Sequence, residues 1–440
     1  MLRQRQTFFS SAIAEIQRCI QCGFCLPTCP TYNLTGRERS SPRGRIQMMK
    51  GIAQEELSIT ESFEREMFFC LGCRACETAC PAGVEYGTLL SLSRTELFQA
   101  EEKKIFSLSA ILLNSIFLSS RRFKFVAVAI RVLQKSGIVE ALHRSGIIKM
   151  FSARLDEMLV LAPKIADEFS DIILKRNEQK TTLHTDANDK RKPRAGVPLG
   201  CVTNVAFPEV NIATVNVLRA LGYDVVLPEF TSCCGALHHH QGDVVNAKQL
   251  ALQVIKSFEK ISCDVIVSNT AGCGATMKEY GALFAGDKVN DERVRIFCSK
   301  VRDISEIVAE KQKENKEKQH FSDETVNVTY HDACHLAHGQ KITQEPRAVL
   351  QQFSNITLHE MKEYTWCCGS AGVYNITHYE DAQQLLERKM ERIAVTNADI
   401  VITGNVGCIQ QLRYGAQKCN INVEVMHTVE FIEKMLVEKK

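Results

Sequence analysis

Apolar and polar positions along the chain keep one rhythm up to Phe169 and another after a polar gap. In the first part the apolar positions recur at helical spacing. A short amphipathic helix is predicted around Thr7–Arg18. Arg45–Glu66 reads as one helix with Ile46, Met49, Ile52, Ala53, Leu57 and Phe63 as its apolar positions, and Leu89–Lys104 reads as another. Lys104–Phe169 continues as helices broken at Gly137 and Gly146. Lys175–Arg194 is polar, charged and free of aromatics, which predicts a flexible linker and a domain boundary.

Beyond that gap, short β-branched runs alternate with helical segments. The predicted strands are Arg194–Leu199, Tyr223–Leu227, Asp264–Ser268 and Val294–Phe297, then Val326–Tyr330, Ile356–His359, Ile400–Thr403 and Val423–Val425. Helices between them imply βαβ units and a parallel sheet. The two sets are copies of one another: DVIVSNTAGCG at Asp264–Gly274 parallels DIVITGNVGCI at Asp399–Ile409, and the charged stretch Glu310–Asp323 separates the copies. A period this long fits a duplicated domain, not a solenoid.

Nineteen cysteines change the picture. Cys19, Cys22, Cys25 and Cys29-Pro30 make one C-x2-C-x2-C-x3-C-P unit, and Cys70, Cys73, Cys76 and Cys80-Pro81 make a second. This spacing is that of bacterial ferredoxins with two [4Fe–4S] clusters, in which the fourth cysteine of each run serves the other cluster. The expected sets are Cys19, Cys22, Cys25 and Cys80 for cluster A, and Cys70, Cys73, Cys76 and Cys29 for cluster B. Zinc, which takes four ligands and usually two separated pairs, fits two identical quartets poorly. The long gap from Cys29 to Cys70 favours the alpha-helical kind of ferredoxin domain over the short β-rich kind.

Each copy of the repeat carries four more: Cys201, Cys233, Cys234 and Cys273 in the first, and Cys334, Cys367, Cys368 and Cys408 in the second. All fall at the carboxyl ends of predicted strands, where ligand sites form in parallel sheets. Adjacent cysteines suit a body larger than one ion, and Gly235 and Gly369 would let the backbone approach it. An iron–sulfur cluster leads; a four-cysteine zinc site and bare thiols both stay open. Cys263 and Cys298 read as small core residues beside strands, and Cys419 has no partner spacing. His331 and His335 flank Cys334 and are candidates for a role at that site, whereas His238–His240 reads as a polar loop. Lys278 and Tyr280 either line the first site or start a solvent-facing helix. The expected organisation is multidomain: an alpha-helical ferredoxin-like domain (1–104), a helical connector and linker (105–193), then a duplicated α/β domain with parallel sheet (194–312 and 324–440).

A net charge of +3 over 440 residues gives no reason to expect a nucleic-acid partner. The opening MLRQRQTFFSS does not resemble a secretory signal, so the cysteines point to metal chemistry in a reducing, cytoplasmic setting. The apolar run Ile105–Ser120 leads into Arg121, Arg122 and Lys124, and Phe125–Leu133 is apolar again. These runs are too short or too diluted for a spanning helix. They predict either an interfacial helix pair on the inner face of the membrane or a linker packed on a neighbour. No G-x-G-x-x-G follows a strand, and no Walker loop, Ser/His/Asp pattern or H-E-x-x-H is present, so hydride chemistry is expected on a partner.

The combination resembles the iron–sulfur subunit of bacterial glycolate oxidase (glycolate dehydrogenase). The segments carrying it include RCIQCGFCLPTCPTY (Arg18–Tyr32), SPRGRIQMMK (Ser41–Lys50), CLGCRACETACPAGVEYG (Cys70–Gly87), GCGATMKEYG (Gly272–Gly281) and CCGSAGVYNITH (Cys367–His378). The resemblance implies a complex in which flavoprotein subunits oxidise glycolate to glyoxylate on FAD, while this subunit relays electrons toward a membrane quinone. Glycerol-3-phosphate, lactate and heterodisulfide reductase systems use similar subunits. Heterodisulfide reductase-type repeats end in C-x-x-C; the first of those positions is Thr270 here in copy one and Asn405 in copy two, so the unusual cluster of those relatives is not carried over.

Overall fold

The computed structural model describes residues 12–101, 116–181, 192–230, 232–314 and 325–437. The N-terminal region is helical: Ile13–Gln17, Pro30–Thr35, Pro42–Ala53, Glu61–Phe69, Ala75–Thr78 and Tyr86–Glu101, with the cysteine runs in the loops between them except Cys76, which lies in the short helix Ala75–Thr78. Of the helix expected over Thr7–Arg18, only Ile13–Gln17 is helical among described residues, since 1–11 lie outside them. The helix expected over Arg45–Glu66 is two helices. The first ends at Ala53, where the N–H groups of Glu56 and Leu57 fold back onto the Gly51 carbonyl. The second begins afresh under a Thr60 cap, whose hydroxyl accepts from Phe63 N–H. Apolar periodicity continued across this turn because Leu57 packs back over Gly51, filling the place a helical residue would take. Ile46, Met49, Ile52, Phe63, Met67 and Leu89 close the core of this region.

The connector breaks where glycine predicts it. Helices Ser120–Lys135, Ile138–Arg144, Ile147–Phe151 and Ala153–Leu161 are parted at Gly137 and Gly146, both at positive φ. Most of the apolar run Ile105–Ser120 lies outside the described residues, and no described helix is long and apolar enough to cross a membrane. The linker expected over Lys175–Arg194 needs correction: a helix runs Ser170–Thr181, anchored by buried Leu174, and 182–191 lie outside the described residues. One buried leucine in a charged stretch was enough to extend it.

The remainder forms two parallel four-stranded sheets of identical order. In copy one β1 (Arg194–Gly196), β2 (Asp224–Val226), β3 (Val265–Ser268) and β4 (Val301–Asp303) lie in the order β2-β1-β3-β4. In copy two β5 (Val326–Tyr330), β6 (Ile356–Leu358), β7 (Ile400–Thr403) and β8 (Glu424–His427) lie in the order β6-β5-β7-β8. The strand expected at Val294–Phe297 is instead the buried side of a helix, Asp291–Lys300, and β4 follows it, pairing Val267 with Arg302. Val294 and Ile296 alternate as in a strand while Val294 and Phe297 stand at helical spacing, and Asp291 and Glu292 favour the helix by sitting in its first turn.

The copies are fused through one core. Ala195, Val197 and Leu218 of the first pack in the same apolar cluster as Leu412, Val425 and Ile432 of the second, and helix Pro208–Ala220 lies against helix Thr428–Val437. Ala271 N–H donates to the Gly404 carbonyl, joining the strand ends of the two sheets at 3.1 Å.

The helical region sits on this pair. Gly242, at φ +84°, presses its Cα against the backbone of Arg94; a Cβ there would lie 2.2 Å from the Arg94 carbonyl oxygen. Backbone cannot yield as a side chain can, so Gly242→Ala should cost about 1–3 kcal/mol and loosen the helical region from copy one. Denaturant unfolding together with limited proteolysis checks this. An unchanged midpoint and cleavage pattern would mean that the contact does not hold the two parts together.

Candidate metal centres

The two N-terminal cysteine loops enclose two cavities. The first is lined by Cys19, Cys22, Cys25 and Cys80, with Cys76 also on its wall. The second is lined by Cys29, Cys70, Cys73 and Cys76. Each cavity thus gathers three sulfurs of one run and the fourth of the other. Their openings differ. Cys22 is exposed at the first, flanked by exposed Ile20 and Phe24, whereas Cys29, Cys73 and Cys76 of the second are buried.

Local backbone sets the sulfurs facing inward. Gln21 and Arg74 take positive φ beside Gly23 and Gly72, which curls each loop around its cavity. Arg43 Nη1 donates to the Gln21 carbonyl at 3.1 Å. At the second loop Gly72 N–H donates to Cys70 Sγ (3.4 Å), and the Tyr86 hydroxyl lies 3.7 Å from the same sulfur. Arg94, buried, holds the Met67 and Cys70 carbonyls through Nη2 at 2.9 and 2.6 Å, and reaches the His240 carbonyl at 2.9 Å. Pro30, after Cys29, is the first residue of a helix and leads the chain away from the cavity.

Arg45 lines the second cavity and is wholly buried. It donates to the carbonyls of Glu66 (2.8 Å) and Ser40 (2.8 Å) and to Thr31 Oγ1 (3.1 Å), and it pairs with the Glu66 carboxylate at 3.7 Å. Burial opposes its charge, but Tyr86, Cys70, Cys29 and Glu66 around it hold its pKa above the ordinary value. Burial pushes the Cys25 thiol up to about 11 and those of Cys73 and Cys76 well above their usual range. Such thiols are poor nucleophiles. Four cysteines around each cavity, with a buried cation alongside the second, fit a bound metal–sulfur group held through the sulfurs.

In each copy of the repeat the four cysteines come together. Cys201 touches Cys233, Cys233 touches Cys234, and Cys234 touches Cys273; in copy two the same chain runs Cys334, Cys367, Cys368, Cys408. Gly235 and Gly369 stand at φ +83° and +88°, where a Cβ would meet the carbonyls of Ala247 and Ala382 at 3.0 and 2.7 Å, so the backbone approach that glycine permits is used. Hydrogen bonding to Cys233 and Cys367, together with burial, raises the Cys201 and Cys334 thiols well above the ordinary cysteine value.

The histidines divide. His331 is fully buried, with a ring nitrogen within 4.8 Å of both Cys368 Sγ and Cys408 Sγ. His335 instead faces the second N-terminal loop, its Nε2 3.2 Å from the Gly72 carbonyl, and His338 hydrogen-bonds with Thr78 at 2.8 Å. His238–His240, expected as a polar loop, lie in the helix Ala236–His240: His238 is buried, His239 bonds Ser91 at 2.8 Å, and His240 packs edge-on to His335. Three adjacent histidines carried no apolar signal, yet they form the seat for the helical region. Tyr280 is also corrected: it is wholly buried at the first quartet, and its hydroxyl donates to the Cys234 carbonyl at 2.8 Å. Lys278 pairs with Glu306 at 2.8 Å. Cys263 is buried in the core as expected; Cys298 is helical, donating to the Met277 carbonyl at 3.3 Å, and Cys419 is exposed. Arg45, Arg94 and Lys389 were missed. A cation at Arg45 beside the buried stripe Ile46, Met49 and Ile52 was the available signal.

The second N-terminal cavity adjoins copy two. Leu71, Cys73, Ala75, Trp366, Cys367 and Tyr374 share one buried cluster, with Cys334 packed on it.

The comparisons agree with this chemistry. Residues 15–84 match the 4Fe-4S dicluster domain family, 197–278 and 328–413 each match the cysteine-rich domain family, and 107–161 match the linker region of the glycolate oxidase iron–sulfur subunit. The chain is therefore an iron–sulfur protein of the electron-transfer class. It is 33% identical to a probable glycolate oxidase iron–sulfur subunit of Bacillus subtilis, across 98% of this chain and 97% of that one. It is 28% identical to the glycolate oxidase iron–sulfur subunit of Escherichia coli, across 96% and 94%. It belongs to the family of glycolate oxidase iron–sulfur subunits. Lactate utilization protein A of Halalkalibacterium halodurans is 27% identical over 53% of this chain and 93% of its own. Among solved structures, glutamate racemase RacE1 of Bacillus anthracis aligns with 56% of this chain and 81% of its own at 10% identity and a TM-score of 0.27, which carries no argument.

Arg45 gives a direct test of the electrostatics. Arg45→Met leaves the 5%-exposed Glu66 side chain with Arg39 and Ser40 as its remaining partners and removes three donors to buried acceptors. Stability should fall by about 3–5 kcal/mol, read by denaturant unfolding under anaerobic conditions. A loss below about 1 kcal/mol would show that the cation is not needed there.

Proposed function

We propose that this chain relays electrons for a flavin-dependent complex that oxidises glycolate to glyoxylate, with FAD on partner flavoprotein subunits and a membrane quinone as acceptor. The observation that carries the reading is the crossed grouping of the N-terminal cysteines in two adjoining cavities, one with the exposed Cys22 on its rim and one lined mostly by buried cysteines. Cys19, Cys22, Cys25 and Cys80 would hold one [4Fe–4S] cluster, and Cys70, Cys73, Cys76 and Cys29 the other. Such clusters supply one-electron transfer when bound. The chain's own residues then tune and insulate: Gly72 N–H and Tyr86 reach Cys70 Sγ, Arg45 offsets buried negative charge, and the copy-two cluster around Trp366 seals the inner side. The repeat cysteines would hold further iron–sulfur or zinc centres. Glycolate specificity comes from the family, and the related lactate utilization proteins make lactate the second substrate class to assay.

The test uses the assembled complex. Cys80→Ser should degrade the cluster held by Cys19, Cys22 and Cys25, and Cys29→Ser the cluster held by Cys70, Cys73 and Cys76, each read by low-temperature electron paramagnetic resonance. Both variants should cut glycolate-driven quinone reduction at least tenfold while substrate still bleaches the flavin. Damage confined to each substitution's own loop would refute crossed ligation. Steady glycolate oxidation by this chain alone would refute the relay.

A membrane acceptor fits the connector. Its helices expose Phe125 (76%), Met150 (76%) and Phe151 (81%), and Ser120–Leu161 carries eight Lys or Arg against three Asp or Glu. Apolar side chains among basic ones suit the surface of an anionic bilayer. The full chain should sediment with vesicles containing phosphatidylserine and much less with neutral ones, and Phe125→Ser with Phe151→Ser should weaken binding several-fold. No binding to anionic vesicles, or equal binding by the double variant, would exclude this face.

A further inference from the structure

The two copies share a topology but not a chemistry at their cysteine quartets. His331 leaves the end of β5 three residues before Cys334, and its imidazole is fully buried. Neither ring nitrogen has a hydrogen-bond partner. A buried imidazole without partners is costly, and metal ligation is one way to satisfy it. One nitrogen lies with Cys368 Sγ and Cys408 Sγ inside a 4.8 Å span, the only such three-donor group among the described residues. That span suits three ligands of one tetrahedral ion.

Copy one lacks these parts. Three residues before Cys201 stands Pro198, which offers no donor. A second difference concerns charge. Lys389 is fully buried and donates to the carbonyls of Glu363 (2.6 Å) and Tyr364 (3.3 Å), with Cys367 and Cys368 near enough for their charge to act on it. The glycine contacts with Ala247 and Ala382 align the helices that follow each Cys-Cys-Gly, and seven residues beyond those alanines stand Val254 and Lys389. Copy two therefore supplies a cation where copy one supplies a methyl group. A third difference is at the residue before the last cysteine loop. Asn405 Nδ2 donates to Cys408 Sγ at 3.4 Å, whereas Thr270 bonds Thr203 and Asn269.

We propose that copy two binds a thiophilic metal, iron or zinc, through His331 together with Cys368 and Cys408, a mixed nitrogen–sulfur centre that copy one does not build. Cys367, which touches Cys368, offers a further sulfur. A neutral imidazole in place of another thiolate lowers the negative charge to be buried, and Lys389 offsets part of what is left. The donor set suits zinc and iron alike. The inference is independent of how the N-terminal clusters are ligated.

The experiment compares the full chain, purified anaerobically, with His331→Ala, His331→Cys and Cys408→Ser. Iron, zinc and acid-labile sulfide are counted per chain, and nitrogen ligation is read by pulsed electron paramagnetic resonance for iron or by zinc K-edge absorption for zinc. His331→Ala and Cys408→Ser should each lose the same metal in the same amount, leaving the N-terminal iron signals intact. His331→Cys should restore that metal without the imidazole signature. Loss of iron assigns an iron centre, and loss of zinc a zinc centre; either supports the proposal. Full metal content in His331→Ala, no metal lost in Cys408→Ser, or an imidazole signature that persists in His331→Cys would overturn it. If His331→Ala loses its N-terminal signals as well, the His331→Cys variant decides between the same outcomes.

Discussion

Charged sulfur can be buried only where positive charge and hydrogen-bond donors meet it, and this requirement organises the molecule. The second N-terminal cavity is lined mostly by buried cysteines, and it is also where Arg45, wholly buried, is held by Glu66, Ser40 and Thr31. Arg94 performs the matching task for the backbone, fixing the carbonyls of Met67 and Cys70 while tying the loop to His240 of copy one. In copy two the buried cation is Lys389. None of these cations stabilises the fold through an exposed ion pair, the kind that contributes little. Each sits beside sulfur.

The same constraint explains why the helical region and the repeat are not beads on a string. A cavity lined by buried cysteines must be closed on all sides, and the N-terminal helices are too few to do so alone. Trp366, Cys367 and Tyr374 of copy two complete the wall against Leu71 and Cys73, and Arg388 stacks over Trp366. Closure on that side leaves the first cavity as the end that faces solvent, through Cys22, Ile20 and Phe24. On the proposed reading, the exposed Cys22 side is the one available to a partner, and the second cavity lies beside copy two.

Much of this was legible in the sequence because spacing is a local property. The two four-cysteine runs, the breaks at Gly137 and Gly146, the duplication and seven of the eight strands could be read from neighbours along the chain. The failures share a cause, which is that their reasons are not local. Val294–Phe297 was read as a strand because its apolar spacing suits either element, and only the pairing of Val301–Asp303 with β3 decides it. His238–His240 looked polar because nothing nearby in sequence announces that Ser91 and His335 will face them. Arg45 carried a weak signal, a cation beside an apolar stripe, whose meaning depends on sulfurs brought in from both loops.

Duplication explains the remaining pattern. Two copies with one strand order and one Cys-Cys-Gly geometry inherit the same crowding of sulfur at the sheet edge, along with a glycine whose Cα must pass close to a helix carbonyl. Those features are fixed by backbone and cannot drift independently. Side chains around the quartet are free to differ, and they do: His331, Lys389 and Asn405 face one set, while Pro198, Val254 and Thr270 stand at the matching places of the other. The copy that adjoins the second N-terminal cavity is the one that carries the nitrogen donor and the buried cation. A duplicated scaffold that keeps its backbone and changes its donors at one site can hold two centres of different charge, and centres of different charge differ in potential.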